Sequence, residues 1–151
     1  MELLPAALIP FVEKRLESSL KGHWQVQILE KLQNLRPNSD GTVSWDQAAL
    51  FNTMDRFWPE AFKAVLGRAE RSIVNELLDV RHKLSHNENF TYDDAERALD
   101  SMRRLMEAIS AGETAEQLSK MRDTILRTKF SELQRNEERR KTQRLGISVE
   151  T

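Results

Sequence analysis

The sequence predicts an all-α protein whose fold is a helical bundle. Apolar residues recur three and four positions apart along most of the chain, a spacing that keeps them on one face of an α-helix. Of the 151 residues, 5 are Gly and 4 are Pro, which is too few for the many turns of an all-β chain. A chain of this length can bury one sizeable core, so we expect a single domain.

Composition excludes several classes of protein. Hydrophobic residues make up 39% of the chain and charged residues 31%, with a formal net charge of -1. This profile is typical of a globular domain, and it is not that of a disordered chain or of a strongly basic protein that coats nucleic acid. The chain contains no Cys, which excludes disulfides, cysteine zinc clusters and thiol nucleophiles.

The N-terminal apolar run does not have the pattern of a secretory signal. Pro5 and Pro10 interrupt it, and no basic segment precedes it. No window approaches the roughly 18 consecutive apolar residues that a membrane span needs. Together with the lack of Cys, these features favour a cytoplasmic protein without a membrane partner.

Short helices are predicted in the first half of the chain. Residues 9–20 form one apolar face that ends before Gly22, and residues 28–35 form a second. Alternation at residues 24–28 would also allow a brief extended piece, which is less favoured. Residues 36–43 form the clearest loop, because Pro, Asn, Ser, Asp and Gly follow one another there.

Two further helices are expected before the middle of the chain. Ser44 and Gln47 fit a capping box that begins a helix with its apolar stripe over residues 50–57. Pro59 fits the first turn of a second helix, whose apolar face spans residues 62–66.

The second half predicts the longest helices. Residues 69–86 and 92–111 each carry a continuous apolar stripe, and we expect these two helices to run antiparallel at the centre of the bundle. Thr91 and Asp94 fit a capping box at the start of the second. Gly112 is expected to break the helix, and Thr114 to begin a last one that reaches about residue 140. This places one helical domain at 1–140 and a tail or linker at 141–151, leading to a further domain outside this chain.

The C-terminal region is locally basic. Residues 122–151 carry eight basic and five acidic side chains, a net charge of +3. Two interpretations remain open: a solvated helix that leads into the next domain, or a basic edge for nucleic acid. The first is favoured because charges of both signs alternate.

Histidines on one predicted helix are the first candidates for chemistry. His82 and His86 lie four residues apart and so share a face, a spacing that can hold a metal ion. The residues between them lack the Glu of the H-E-x-x-H metalloprotease motif, and Lys83 disfavours a bound cation. We therefore expect no metal site and no cofactor.

Arg81 and His86 suggest another chemistry. A guanidinium can hold two phosphate oxygens, and an imidazole that titrates near neutral pH can transfer a proton. Such a pair could cleave RNA without metal, and a symmetric dimer would supply two histidines as base and acid. The pair alone carries little weight, since Arg is common in this chain. The alternative is an ordinary polar helix end, where His86 would be favoured by the helix dipole.

The chain resembles the HEPN family (higher eukaryotes and prokaryotes nucleotide-binding domains). Its resemblance is strongest over residues 62–112 and is closest to the Swt-type branch. That branch is shared with a eukaryotic nuclear RNA endonuclease and is found at the N-terminus of large bacterial defence ATPases. The residues that carry it are 62–71, 77–86, Phe90, 93–95 and 97–100.

The resemblance implies both a fold and a function. HEPN domains are helical bundles that commonly dimerise, and their motif is Arg, a polar residue, a short spacer and His. Arg81, His82 and His86 match it, with His82 where Asn is frequent. It implies that Arg81 and His86 are catalytic and that His82 supports them, in a metal-independent endoribonuclease of a defence or toxin–antitoxin system. The alternative is a non-catalytic module for dimerisation, or for sensing RNA or nucleotide, in a larger nucleic-acid-processing or antiphage protein.

Overall fold

A computed structural model describes residues 3–32, 35–86 and 88–145, and the regular structure in these ranges is helical. The α-helices are α1 (Leu3–Leu20), α2 (Trp24–Lys31), α3 (Gln47–Arg56), α4 (Arg68–Ser85), α5 (Tyr92–Ala108) and α6 (Gly112–Arg144). A 3-10 turn spans Lys21–His23, and a π turn spans Trp58–Phe62. The prediction of an all-α bundle is confirmed. None of the helices described is long and apolar enough to cross a membrane.

Helix α1 starts six residues earlier than its sequence pattern predicts. It includes both Pro5 and Pro10, and it buries Leu4, Leu8, Val12 and Leu16 at four-residue intervals. A proline inside a helix costs about 3 kcal/mol. Burying a leucine side chain contributes about 1.5–3 kcal/mol, so the burial of Leu4 and Leu8 offsets the interior Pro10.

Helix α2 settles the choice left open for residues 24–28, which are helical rather than extended. The following loop is as predicted over residues 36–43, and Pro37 and Val43 form an isolated antiparallel bridge there. The loop is attached to the bundle through Trp45. The indole N–H of Trp45 donates to the Glu13 carboxylate on α1 at 2.9 Å. The Trp45 ring stacks on that of Trp24, with ring centroids 6.4 Å apart.

Helix α3 begins at Gln47, and the predicted capping box of Ser44 and Gln47 is wrong. Asp46 is the N-cap, and its carboxylate accepts the backbone N–H of Ala49 at 2.7 Å. Asp and Ser are about equally good N-caps. The position is decided by the burial of Ala49 and Leu50, which fixes where the first turn must lie.

The segment after Pro59 forms a single π turn instead of the predicted helix. The N–H of Lys63 donates to the carbonyl of Trp58 at 2.8 Å, and the chain then turns. Trp58 and Phe62 stack with ring centroids 5.9 Å apart, and Arg15 Nε on α1 holds the Ala61 carbonyl at 2.9 Å. Phe62 is buried, but Val65 is 49% exposed and does not continue an apolar face.

Neither predicted glycine stop is where the backbone reverses. At the first stop, the residue with a positive φ is Lys21, one position before Gly22. At the second stop it is Ser110, two positions before Gly112. Gly112 is the first residue of α6, so the predicted start at Thr114 is also wrong. At the end of α5, Ser110 N–H donates to the Glu107 carbonyl at 3.1 Å, and Ala111 N–H donates to the Met106 carbonyl at 2.8 Å. This is the Schellman arrangement, in which glycine usually occupies the left-handed position.

Helices α4 and α5 are the long pair predicted at residues 69–86 and 92–111. They run antiparallel, since only residues 86–91 connect them and Arg97 in α5 pairs with Glu76 on α4 at 2.7 Å. Helix α5 packs against α4, α6 and α1. Its buried face is formed by Ala98, Leu99, Ser101, Met102, Leu105 and Met106.

Helix α6 is the longest, with 33 residues against 17 in α5. It runs antiparallel to α5: Arg122 pairs with Glu96 at 2.9 Å, Lys129 pairs with Asp93, and the Tyr92 hydroxyl donates to Glu132 at 3.0 Å. It continues to Arg144 without a break at residue 140. The division into a domain of 1–140 and a tail or linker of 141–151 stays a prediction, and residues 146–151 lie outside the described ranges.

We expect Ser110→Gly to raise the free energy of unfolding by about 1 kcal/mol, because a non-glycine residue in the left-handed region is strained by about 1–2 kcal/mol. Chemical denaturation measures this change. Ser131→Gly is the matched control, since Ser131 is an exposed residue within α6. There glycine should lower stability by about 0.5–1 kcal/mol. A loss of stability in both variants would contradict the assignment of strain to Ser110.

The start of α5 predicts a pH-dependent stability. Thr91 N–H donates to the Asp94 carboxylate at 3.0 Å, and hydrogen bonds from Thr91 hold the pKa of Asp94 below its usual range. A depressed pKa in the folded state means that this stabilisation is present above about pH 4. It is lost as the pH falls through the folded-state value.

Asp94→Asn should therefore lower stability at pH 7, and its difference from the parent protein should shrink toward pH 3. Denaturation curves at both pH values measure this. Asp123→Asn is the control, because Asp123 is exposed on α6 and has no partner among the described residues. An Asp94→Asn deficit that is equal at both pH values would contradict the prediction.

Candidate functional site

The three candidate residues lie together at the C-terminal end of α4. This helix begins after Gly67, whose N–H donates to the Glu70 carboxylate at 3.1 Å, and it buries Ile73, Val74 and Leu77 against the core. Beyond Leu77 the residues of α4 are half-buried or exposed. The helix ends at Ser85, and its C-cap is His86, whose N–H donates to the His82 carbonyl at 3.1 Å.

Arg81 continues the core-facing stripe of α4. It lies four residues after Leu77 and seven after Val74, which places it on the same helix face. Its side chain is half-buried, and within the described residues it makes no ion pair and no side-chain hydrogen bond. Its five N–H donors therefore remain available to an anion.

His82 and His86 form a pair of imidazoles on a different side of the helix. Their ring centroids are 4.2 Å apart with an angle of 51° between the planes, and both residues are exposed. Five residues at 3.6 per turn place Arg81 and His86 about 140° apart around the helix axis. A single chain thus brings the two histidines together and leaves Arg81 facing another direction.

His82 lines a groove of about 430 Å³ between α4 and α5. Its other lining residues are Glu76, Asp79, Val80, Lys83, Glu88, Phe90, Asp94, Arg97 and Ala98. Four carboxylates face two permanent cations here, and one carboxylate is already paired, Glu76 with Arg97. The groove is therefore net negative, which disfavours phosphate within it.

Other features lie apart from this site. Among the described residues, no group of three His, Asp or Glu side chains is placed to hold a metal ion. The third histidine, His23, is exposed in the 3-10 turn between α1 and α2. A larger groove of about 580 Å³ lies between α3 and the loop before it, and none of the candidate residues lines it.

The acidic side chains beside His82 are not among the residues predicted for the site. Glu76, Asp79 and Lys83 lie three and four residues apart on α4, so helical periodicity alone places them on one face. Helical periodicity cannot place Glu88 and Asp94 in the groove, because their positions depend on how the connection between α4 and α5 folds back.

Comparison with known families matches residues 1–110 to the family described as Swt1-like HEPN. The matched span is more than two thirds of the chain. It contains α1 to α5 and all three candidate residues, and it ends before α6 begins. Comparisons with curated proteins and with solved structures give no match. Because the match covers most of the chain and the helical bundle agrees with it, the chain belongs to the Swt1-like HEPN family.

Proposed function

We propose that this domain is a metal-independent endoribonuclease whose active site is completed by a second copy of the chain. The observation that carries the proposal is the cluster at the end of α4. Two imidazoles lie 4.2 Å apart, beside a half-buried Arg81 that has no anionic partner in the described residues. These residues occupy the Arg–polar–His positions of the HEPN motif.

The proposed reaction uses the RNA's own 2′-hydroxyl as nucleophile. His86 of one protomer takes the 2′-hydroxyl proton while the 2′-oxygen attacks the adjacent phosphorus. The bond from phosphorus to the 5′-oxygen breaks, and His86 of the second protomer donates a proton to that oxygen. The products are a 2′,3′-cyclic phosphate and a 5′-hydroxyl. Arg81 stabilises the added negative charge on the phosphoryl oxygens, and His82 orients His86 from the preceding turn.

Helix geometry supports a composite site rather than a site within one chain. Arg81 and His86 diverge by about 140°, so they can flank one phosphate only if the two copies contribute from opposite sides. Leu84 gives the second copy an apolar contact. It lies three residues after Arg81, and it is 42% exposed. A two-fold axis near Leu84 would bring both motifs to one cleft.

The catalytic proposal predicts that EDTA does not stop RNA cleavage and that His86→Ala does. General acid–base groups contribute about 10²–10⁴-fold, so cleavage of a labelled RNA should fall at least 100-fold. His23→Ala is the matched control and should cut at the parent rate. An all-deoxy oligonucleotide of the same sequence should stay intact, because it lacks the nucleophile. Equal cleavage by His86→Ala and His23→Ala would contradict the proposed role.

The dimer proposal predicts that Leu84→Asp produces a monomer without RNase activity. A buried unpaired carboxylate opposes association at that contact. Val26→Asp is the control, since Val26 is a similar exposed aliphatic residue, 54% exposed, on α2. Light scattering should report dimers for the parent chain and Val26→Asp. A dimeric, active Leu84→Asp variant would rule out this interface.

A second candidate function is a non-catalytic module that dimerises, or senses RNA or nucleotide, for a larger nucleic-acid-processing or antiphage protein. The net negative groove beside His82 favours it, because this groove repels the phosphates that a nuclease must bind. A folded dimer that binds RNA and leaves it intact would select this function. We place either activity in a cytoplasmic defence or toxin–antitoxin system, as for other HEPN domains, with further domains or a partner protein controlling it.

A further inference from the structure

The last third of α6 extends past the rest of the bundle. We call residues 133–144 the C-terminal arm. Helix α5 starts at Tyr92, which contacts Glu132, so the arm lies beyond that end of α5. At 1.5 Å per residue, its 12 residues reach about 18 Å. All but one of these residues are exposed.

Basic side chains in the arm differ from those earlier on α6 in their pairing. Before the arm, three of four are paired: Lys120 with Glu116, Arg122 with Glu96, and Lys129 with Asp93. The arm carries five basic side chains: Arg135, Arg139, Arg140, Lys141 and Arg144. None of these five forms an ion pair with a described residue. The arm therefore presents cations that the domain itself does not neutralise.

The charges that alternate along the sequence are separated around the helix. With 3.6 residues per turn, Arg135 and Arg139 lie about 40° apart around the helix axis, and Arg140 lies about 100° beyond Arg139, at the edge of the same sector. Asn136 and Gln143 lie in the same sector, and Glu137 and Glu138 lie outside it. This sector continues the face of α6 that carries Leu118, Arg122, Ile125 and Lys129 against α5. We call it the basic face of the arm.

The basic face includes a shallow depression of about 180 Å³, lined by Glu132, Arg135, Asn136 and Arg139. The Glu132 carboxylate already accepts the Tyr92 hydroxyl at 3.0 Å, and this hydrogen bond raises the pKa of Tyr92. The other three side chains that line the depression are the guanidinium groups of Arg135 and Arg139 and the amide of Asn136. Side chains of these types donate hydrogen bonds to phosphate oxygens in nucleic-acid complexes.

The basic face lies at the same end of the bundle as the histidines. A neighbouring depression joins Asn136 on the arm to Thr91, the N-cap of α5. Thr91 ends the short connection that begins at His86, the C-cap of α4. A strand lying on the basic face is therefore separated from His86 by the connection between α4 and α5.

We propose that the basic face of the C-terminal arm binds the phosphate backbone of single-stranded RNA and directs the strand to His82 and His86. This inference rests on the proposed function for its substrate. Arg135 and Arg139 are one turn apart and each contacts a phosphate, and Arg140 contacts a third from the edge of the face. A lipid surface is disfavoured, because membrane-binding helices need a bulky apolar face, and Leu133 is the arm's one large aliphatic residue.

The test measures binding of the full chain to a labelled single-stranded RNA with 2′-O-methyl groups, which cannot be cut by 2′-hydroxyl attack. The test variant is Arg135→Gln/Arg139→Gln/Arg140→Gln. Its matched control, Arg127→Gln/Lys141→Gln/Arg144→Gln, removes the same charge from other sectors of α6. All six residues are exposed, so both variants should fold, which circular dichroism checks.

We expect the test variant to bind at least about tenfold more weakly at low salt, and its log K against log salt slope to flatten by about 2, for three lost phosphate contacts. The control variant should lose no more than about threefold through its reduced net charge. Equal losses in the two variants, or undiminished binding by the test variant, would overturn the basic face as the binding surface. The proposal would also be overturned if the unaltered protein does not bind the RNA and binds vesicles of anionic phospholipid.

Cleavage of unmodified RNA separates this inference from the proposed function. The test variant should raise KM and keep kcat within about twofold, because its residues contact the strand away from the reacting atoms. A kcat loss as large as that of His86→Ala would overturn a purely binding role. If His86→Ala keeps full activity while the test variant still loses binding, the proposed catalytic site is wrong and the RNA-binding face stands.

Discussion

Helix α5 is packed by α4, by α6 and by α1, and its buried residues lie on one continuous face. Its first turn is held by the Thr91–Asp94 capping box, and its Asp93 and Glu96 pair with Lys129 and Arg122 on α6. Packing against α5 therefore sets the positions of α4 and α6, the helices that precede and follow it. A short connection from α4 fixes where that helix ends, and the turn at Ser110 fixes the direction of α6. The position of the histidines and the projection of the arm both depend on this one packed helix.

The end of α4 shows how one helix can give similar residues different surroundings. Arg81 follows the buried residues Val74 and Leu77 on the same helix face and is itself half-buried. His82 lines the α4–α5 groove, and His86, whose ring lies beside that of His82, is exposed to solvent. This divergence follows from 3.6 residues per turn and not from side-chain adjustment. If one phosphate is to contact both an Arg81 and a His86, at least one of these side chains must therefore come from another copy of the chain. This is why a second copy is central to the proposed mechanism.

Periodic apolar residues predicted α4 and α5 almost to their ends, and the HEPN resemblance identified the family. The errors lie where tertiary packing competes with a local rule. Pro10 remains inside α1 because Leu4 and Leu8 are buried, and Trp58 and Phe62 hold a single π turn where a helix was expected. Ser110 shows the same limit, since it adopts the left-handed conformation although Gly112 is two residues away. The candidate site residues come from the motif and stay a prediction. The negative groove beside His82 could not be predicted in this way, because it needs residues from two helices and the connection between them.

Electrostatics links the groove, the histidines and the arm. A formal net charge of -1 gives no hint of the proposed RNA-binding surface. Charge nevertheless acts locally, since screening limits its range to about 10 Å at moderate salt. Carboxylates line the groove on one side of His82, while unpaired guanidinium groups lie on the arm beyond Thr91. A polyanion near this end of the bundle is repelled from the groove and attracted along the arm. The two surfaces together therefore give a strand one favourable direction of approach, and α5 holds them in a fixed relation because it packs against both helices that carry them.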